Sequence, residues 1–307
     1  MTEFQKILIE TFKQFHKICS DNGLTYYAFG GTALGAYRHK GFIPWDDDLD
    51  VVMRRDDYDK LVELSRAPNN NWREYKLSYF GDGKISQPFA KFYSTAYTIW
   101  EYKKFPVIVG PWVDVFPLDL DDSKHPHDDL FDTVSFIRWK YIKTIQYCSW
   151  REILYDFSHF RGLNGPIKLV KKIIMPFFRK YYLYRISQLR ERVRSIKTGD
   201  VFARYGGSRR RFETRYFSEK PTEMPFEDTV INMPCFCDEY LAFYFGQDFM
   251  KLPPLEERVG HHDVYYMDLQ KAKTLEEVLD EIGDDFGTDP VITLKGIVNG
   301  IKNRKKY

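Results

Sequence analysis

The chain opens on an amphipathic pattern. Phe4, Ile7, Leu8, Ile9, Phe12 and Phe15 recur at helical spacing in MTEFQKILIETFKQF, which predicts a helix with one apolar face. The DNGL that follows is a stop-and-turn signal, and TYYAF has the β-branched and aromatic character of a short strand. Gly30 and Gly31 break that strand, and Thr32 stands where a helix N-cap belongs, ahead of ALGAYRHK. After Pro44, DLDVVM alternates as a strand, with Leu49 and Val51 on one side and Asp48 and Asp50 on the other. RRDDYDKLVEL then predicts a helix whose acidic first turn suits the helix dipole. Between residues 75 and 118, KLSYF, PFAKFYS, AYTIWEY and WVDVFPL read as further strands.

From residue 126 the period lengthens. LFDTVSFIRWKYIKTIQYCSW and then PIKLVKKIIMPFFRKYYLYRISQLRERVRSIK carry helical patterns, and Pro166 and Pro176 partition the second into two or three helices. The tail returns to loops and short helices such as EYLAFYF and TLEEVLDEI. The fold class predicted is therefore α/β in the α+β sense: a mixed β-sheet flanked by helices over residues 1–125, a basic helical subdomain over 126–227, and a C-terminal segment, 228–307, packing back on the core.

Composition changes this picture little. Of the 307 residues, 43% are hydrophobic and 17% aromatic, enough for a sizeable core. A net charge of +2 gives no case for a nucleic-acid binder, and none is expected as a partner. The distribution is more telling: residues 161–197 hold eleven Lys or Arg against one acid, Glu191, while 113–132 are acidic. A solvated helix face is the common reason for such a block, but its interleaved apolar residues also suit a peripheral membrane contact. The start lacks a signal-peptide pattern, and no apolar run approaches the roughly 18 residues needed to cross a bilayer. A cytoplasmic protein, in contact with the inner face of the membrane, is expected. Cys235 and Cys237 are too close for a zinc knuckle, and with Cys19 and Cys148 they read as free thiols.

The chemistry concentrates in FGGTALGAYRHKGFIPWDDDLDVVM, where Asp46, Asp47, Asp48 and Asp50 follow a glycine pair. Carboxylates two apart on a strand point the same way, so Asp48 and Asp50 are placed to hold a hard divalent cation such as magnesium, which usually also takes oxygens from a substrate phosphate. The glycines let a phosphate approach backbone N–H groups at a helix start. A third carboxylate completes such a site. Asp114 in WVDVFPLD has the strand context for it, and Asp119, after Pro117, competes. Arg38 and Lys91 are the basic residues best placed in sequence to meet phosphates.

These residues carry a resemblance. GGTALGAYRHKGFIPWDDDLDV resembles the signature of the LicD family of phosphocholine transferases, related to the fukutin proteins and the nucleotidyltransferase-like superfamily, and WVDVFPLD and FGQDFMKLPPLEER resemble later blocks of it. The resemblance implies a nucleotidyltransferase-like fold, a CDP-choline donor or a similar CDP-alcohol, and a glycan or lipid-linked glycan acceptor of teichoic acid or lipopolysaccharide type. By the same analogy Gly30, Gly31 and Thr32 hold the donor phosphate, with Arg38 and Lys91, from their place in the sequence, expected to meet the leaving phosphates. Asp48, Asp50 and Asp114 hold Mg2+, with Mn2+ as its substitute, and act in catalysis, while Asp46 and Asp47 stand in supporting positions. His261 and His262 follow the LPPLEER block and are read as substrate contacts rather than metal ligands. Two rivals stand beside this reading: transfer of a ribitol or glycerol phosphate or of a nucleotidyl group at the same site, and a non-catalytic membrane- or glycan-binding relative.

Overall fold

The structure, a computed structural model, describes residues 1–307 except 86, 103, 104, 106, 146–169, 171, 172, 206, 219, 261, 283–291 and 294–307. Helix α1 (Glu3–Asp21) starts at a capping box, in which Thr2 accepts from the Gln5 amide and Gln5 reaches back to the Thr2 amide. Its apolar face of Phe4, Leu8, Phe12 and Phe15 is buried across the sheet, while Ile7 stays half-exposed at the edge of that face.

Strand β1 (Tyr27–Ala28) leads into α2 (Gly30–His39), and β2 (Asp50–Arg54) into α3 (Arg55–Arg66). Strands β3 (Tyr75–Tyr79), β4 (Ala90–Ser94) and β7 (Trp112–Asp121) complete the central order β1-β2-β7-β4-β3. Within it β2 and β7 run parallel and the other neighbours antiparallel. The sheet is mixed and helix-flanked, an α+β fold as the alternation implies. Between β4 and β7, the short strands β5 (Thr98–Trp100) and β6 (Ile108–Val109) form a separate small sheet with β12 (Tyr266–Asp268).

The middle of the chain carries helices α4 (Asp128–Ile145) and α5 (Arg179–Arg194), the latter entered through a 3-10 turn at Met175–Phe178. Much of the expected second helical pattern, with Pro166 and Cys148, lies outside the described residues. The two helices pack on each other and, through Ala203 and Tyr205, on the sheet, because β8 (Val201–Ala203) pairs with the second half of β7 and β9 (Phe212–Glu213) with β8. Residues 222–233 fold into the hairpin β10 (Thr222–Phe226) and β11 (Thr229–Met233), followed by α6 (Cys237–Phe245). Among the described residues no helix is long and apolar enough to cross a membrane.

One local expectation is corrected. Thr32 is not the N-cap of α2: that position falls to Phe29, and Thr32 lies inside the first turn. Gly30 has φ +53°, the left-handed region open to glycine, so the chain turns into the helix two residues early. The Thr32 hydroxyl is instead buried and accepts a hydrogen bond from the Asp50 amide at 2.8 Å, tying helix start to strand start.

Candidate active site

The loop from Gly41 to Leu49 delivers three aspartates to the N-terminal edge of β2 and is held from three sides. Gln5 Nε2 donates to the Asp46 carbonyl at 2.9 Å, the Glu227 carboxylate accepts from the Phe42 amide at 2.9 Å, and Asp47 accepts from the His262 amide at 3.1 Å. Strand β2 begins at Asp50, so Asp48 belongs to the extended segment just before it.

Parallel pairing of β2 with β7 puts Asp50 in register with Asp114, and antiparallel pairing of β4 with β7 puts Lys91 in register with Asp114. Three residues far apart in sequence thus meet across adjacent strands. As the alternation predicts, Val113 and Val115 are buried in the core. Lys91 lies 3.2 Å from Asp114 Oδ1 and 3.3 Å from Glu101, with its ammonium 3.8 Å from the Trp112 ring centroid. Asp114 Oδ1 is buried without a hydrogen-bond partner, so its contact with Lys91 is an ion pair outside hydrogen-bond geometry.

The loop carboxylates converge on the same place. One oxygen from each of Asp46, Asp47 and Asp48 lies within 4.8 Å of the others. The sequence reading gave Asp46 a supporting position; the structure draws it against Asp48. Burial, with the charge of Asp48, pushes the Asp46 carboxyl well above the ordinary carboxylate range. Burial also pushes Asp50 well up, reinforced by Asp48, Asp114 and Asp46 and opposed by Arg204. Asp114 is raised by burial against the pull of Lys91 and His262. His262 moves the other way. Burial disfavours its imidazolium, but the hydrogen bond to Asp47 (2.9 Å) and the charges of Asp48, Asp47 and Asp114 outweigh it and lift its pKa to about 9.

Among the described residues, six carboxyl groups (Asp46, Asp47, Asp48, Asp50, Glu101 and Asp114) face three cationic side chains, Lys91, His262 and Arg204. Buried and half-buried carboxylates gathered this closely are the donor set of a hard divalent cation, and all the donors are oxygens. The residues present fit such an ion.

The other expected residues are placed as follows. The Gly30 amide donates to the Tyr240 hydroxyl at 3.1 Å, and a Cβ at Gly31 would come within 2.9 Å of Asp46 Oδ2, so a side chain here would have to displace the Asp46 carboxylate. Arg38 turns away to the carbonyls of Phe249 (2.9 Å) and Lys251 (3.3 Å). Asp119 is bound to Arg55 through both oxygens, at 2.7 and 2.8 Å, at the far end of β7. His261 lies outside the described residues.

Residues 23–149 match the family described as LicD/FKTN/FKRP, nucleotidyltransferase domain. The chain carries a LicD-family domain. Over 277 residues, covering 85% of this chain and 96% of the relative, it is 27% identical to the lipopolysaccharide cholinephosphotransferase LicD of Haemophilus influenzae. Shorter matches join it to an uncharacterized protein of Rickettsia prowazekii, 36% identical over 72 residues (24% of this chain, 26% of that one), and to one of Rickettsia typhi, 42% identical over 50 residues (16% of each).

Around this LicD-type centre stand side chains that the sequence reading did not assign. Glu101 shares Lys91 with Asp114. Tyr244 packs on Phe29 beside Gly30, close enough to Asp50 to feel its charge, and Arg204 lies 4.6 Å from the ring centroids of both Phe29 and Phe116. The one available signal was the spacing of Tyr240 and Tyr244, one helical turn apart in EYLAFYF, which puts both on one face.

Proposed function

We propose that this protein transfers phosphocholine from CDP-choline to a hydroxyl of a cell-surface glycan, with Mg2+, or Mn2+ in its place, held by Asp48, Asp50 and Asp114 and supported by Asp46. The observation that carries this reading is the register of Asp50 with Asp114 beside the acid loop, which leaves buried carboxylates short of countercharge inside a LicD-family domain. The match to a lipopolysaccharide cholinephosphotransferase along 96% of that protein's length supports a glycan acceptor of the same kind.

In this reaction a glycan hydroxyl oxygen forms a bond to the phosphorus that bears choline, the bond from that phosphorus to the bridging oxygen breaks, and CMP leaves with the electron pair. Bound at these carboxylates, the cation supplies neutralisation of the pyrophosphate charge. The chain's own residues do the rest. Asp114, made more basic by burial and kept ionised by Lys91, accepts the hydroxyl proton. Lys91, anchored between Asp114 and Glu101, fixes that carboxylate rather than reaching for phosphate. Gly31 and Thr32 lie in the first turn of α2, whose amides would be donors to a phosphate oxygen of the donor. His262 holds Asp47 and so the acid loop.

A lipid-linked acceptor fits the exposed stretch around α5. Ile173, Phe177, Tyr181 and Tyr184 are exposed beside Arg179, Lys180 and Arg185, a composition suited to an anionic membrane surface at the cytoplasmic face. The test is CMP release from CDP-choline in the presence of lipopolysaccharide or teichoic acid acceptor, with and without divalent cation, against CDP-ribitol and CDP-glycerol. Acceptor-dependent release from CDP-choline is expected. Consumption of a CDP-alditol instead would transfer the reading to that alcohol, and release from no CDP donor would end it.

A further inference from the structure

Next to the carboxylates lies a cavity of about 240 Å3 walled by Pro88, Phe89, Phe116, Arg138, Arg204 and Tyr205. Phe116 is two residues beyond Asp114 on β7, so strand alternation turns it to the face that carries Asp114. Arg204 stands at the junction, where its charge pulls the Asp50 carboxyl down against the neighbouring acids. Arg138, also in the wall, lies within electrostatic range of the Tyr102 hydroxyl, as do Lys91 and Asp114. The arginine-lined cavity thus adjoins the acid cluster through Phe116, on the strand of Asp114, and through Arg204, packed on Phe29 at the start of α2.

The chemistry of the walls is specific. The Arg204 guanidinium is packed on the faces of Phe29 and Phe116, each centroid 4.6 Å away, and its Nε is buried with no hydrogen-bond partner. Phe89 and Phe116 lie with centroids 4.3 Å apart. A buried guanidinium N–H that no protein group satisfies calls for an anionic acceptor from outside the chain. Aromatic faces beside it suit a flat ring. A trimethylammonium group fits less well, because it seeks bare aromatic faces, whereas Arg204 already lies on Phe116 and the Lys91 ammonium 5.8 Å from the centroid of Phe89.

We propose that this cavity binds the nucleoside monophosphate half of the donor, with Arg204 and Arg138 on its phosphate and the base against Phe89 and Tyr205, leaving the phosphocholine half to extend away over the carboxylates. The inference rests on the reading of the donor as a CDP-alcohol and adds its orientation. In that orientation the arginines lie where negative charge develops on the leaving CMP, which is where a fixed cation lowers the barrier most.

The experiment is direct binding of CMP and, separately, of phosphocholine to the full chain in the presence of Mg2+. Arg204→Gln is expected to weaken CMP by roughly 30-fold, the loss of a charge-assisted pair of hydrogen bonds, and to leave phosphocholine within about twofold. Arg204→Lys should restore part of the CMP affinity. Should Arg204→Gln fail to fold, Gly207→Leu at the exposed rim of the same cavity decides: a fall in CMP affinity of about tenfold or more supports the assignment, and unchanged affinity overturns it. Loss of phosphocholine rather than CMP binding would overturn it as well. If the wild-type chain binds CMP through Arg204 yet releases none from CDP-choline, the functional reading fails and the pocket stands. Turnover of CDP-choline with CMP binding indifferent to both variants would remove the pocket alone.

Discussion

Strand β7 carries three buried aspartates, and its two ends treat them in opposite ways. At the far end Asp119 accepts from both arms of Arg55, while Asp121 accepts from Arg211 and from the His127 ring, each at 2.7 Å. Their charge is matched within the scaffold, and although burial alone would raise it, the hydrogen bonds from His127 and Arg211 hold the Asp121 carboxyl below its ordinary value. At the near end Asp114 must share Lys91 with Glu101 and faces Asp50 and Asp48, and its carboxyl is pushed up. The same residue type, on the same strand and equally buried, is a structural ion pair at one end and an unbalanced charge at the other. Burying a carboxylate short of its countercharge costs folding free energy, so such a cluster is retained where it does something else.

That contrast can be broken by substitution. Asp50→Asn should lower phosphocholine transfer by about 10^3-fold, roughly 4 kcal/mol of barrier, while the melting temperature holds or rises because like-charge crowding is relieved. A variant that loses activity only by unfolding would remove the distinction. Asp119→Asn should do the reverse. It leaves the Arg55 guanidinium with only the longer contact to Asp59 at 3.5 Å and destabilises the fold by about 3 kcal/mol in urea titrations, with activity per folded molecule retained. Equal stability of the two variants would count against the paired reading of that end.

A smaller effect separates the ends by sign of pH dependence. Asp121 has a depressed native pKa, so its contribution is complete above the unfolded value of about 3.9 and is lost as pH falls through the lower native value. Asp121→Asn should therefore flatten the stability curve below about pH 4. Asp50 has a raised native pKa, so its ionisation costs stability as pH rises, and Asp50→Asn should flatten the curve above that window instead. Parallel changes in both variants would show that the two ends are not electrostatically distinct.

How far this was legible in the sequence differs by element. The strands and the Asp48, Asp50 and Asp114 set follow from period-two alternation, a local property, whereas the hairpin of residues 222–233 is not predicted: its strands are five residues each, β10 carries Pro225, and β10 is mostly exposed up to Phe226. Strand context favours Asp114 over Asp119 in the sequence, but β7 continues through Pro117 to Asp121, so both lie on the strand; what separates them is Arg55, whose side chain reaches Asp119 from the start of α3. His262, Tyr244 and Arg204 come to the site from more than 150 residues beyond the acid loop, brought there by chain topology that no local pattern encodes. Thr32 shows the finer limit. A serine-or-threonine cap signal was present, but the positive φ of Gly30 let the helix begin before it.

The central claim is that the near end of β7 is short of positive charge because a divalent cation completes it. Titration of Mn2+ into the wild-type chain, Asp50→Asn and Asp119→Asn, followed by the loss of the free-ion paramagnetic resonance signal, measures this without any substrate. Saturable binding in the wild type and in Asp119→Asn, and its loss in Asp50→Asn, is the predicted result. Binding by Asp50→Asn as tight as that of the wild type would contradict it.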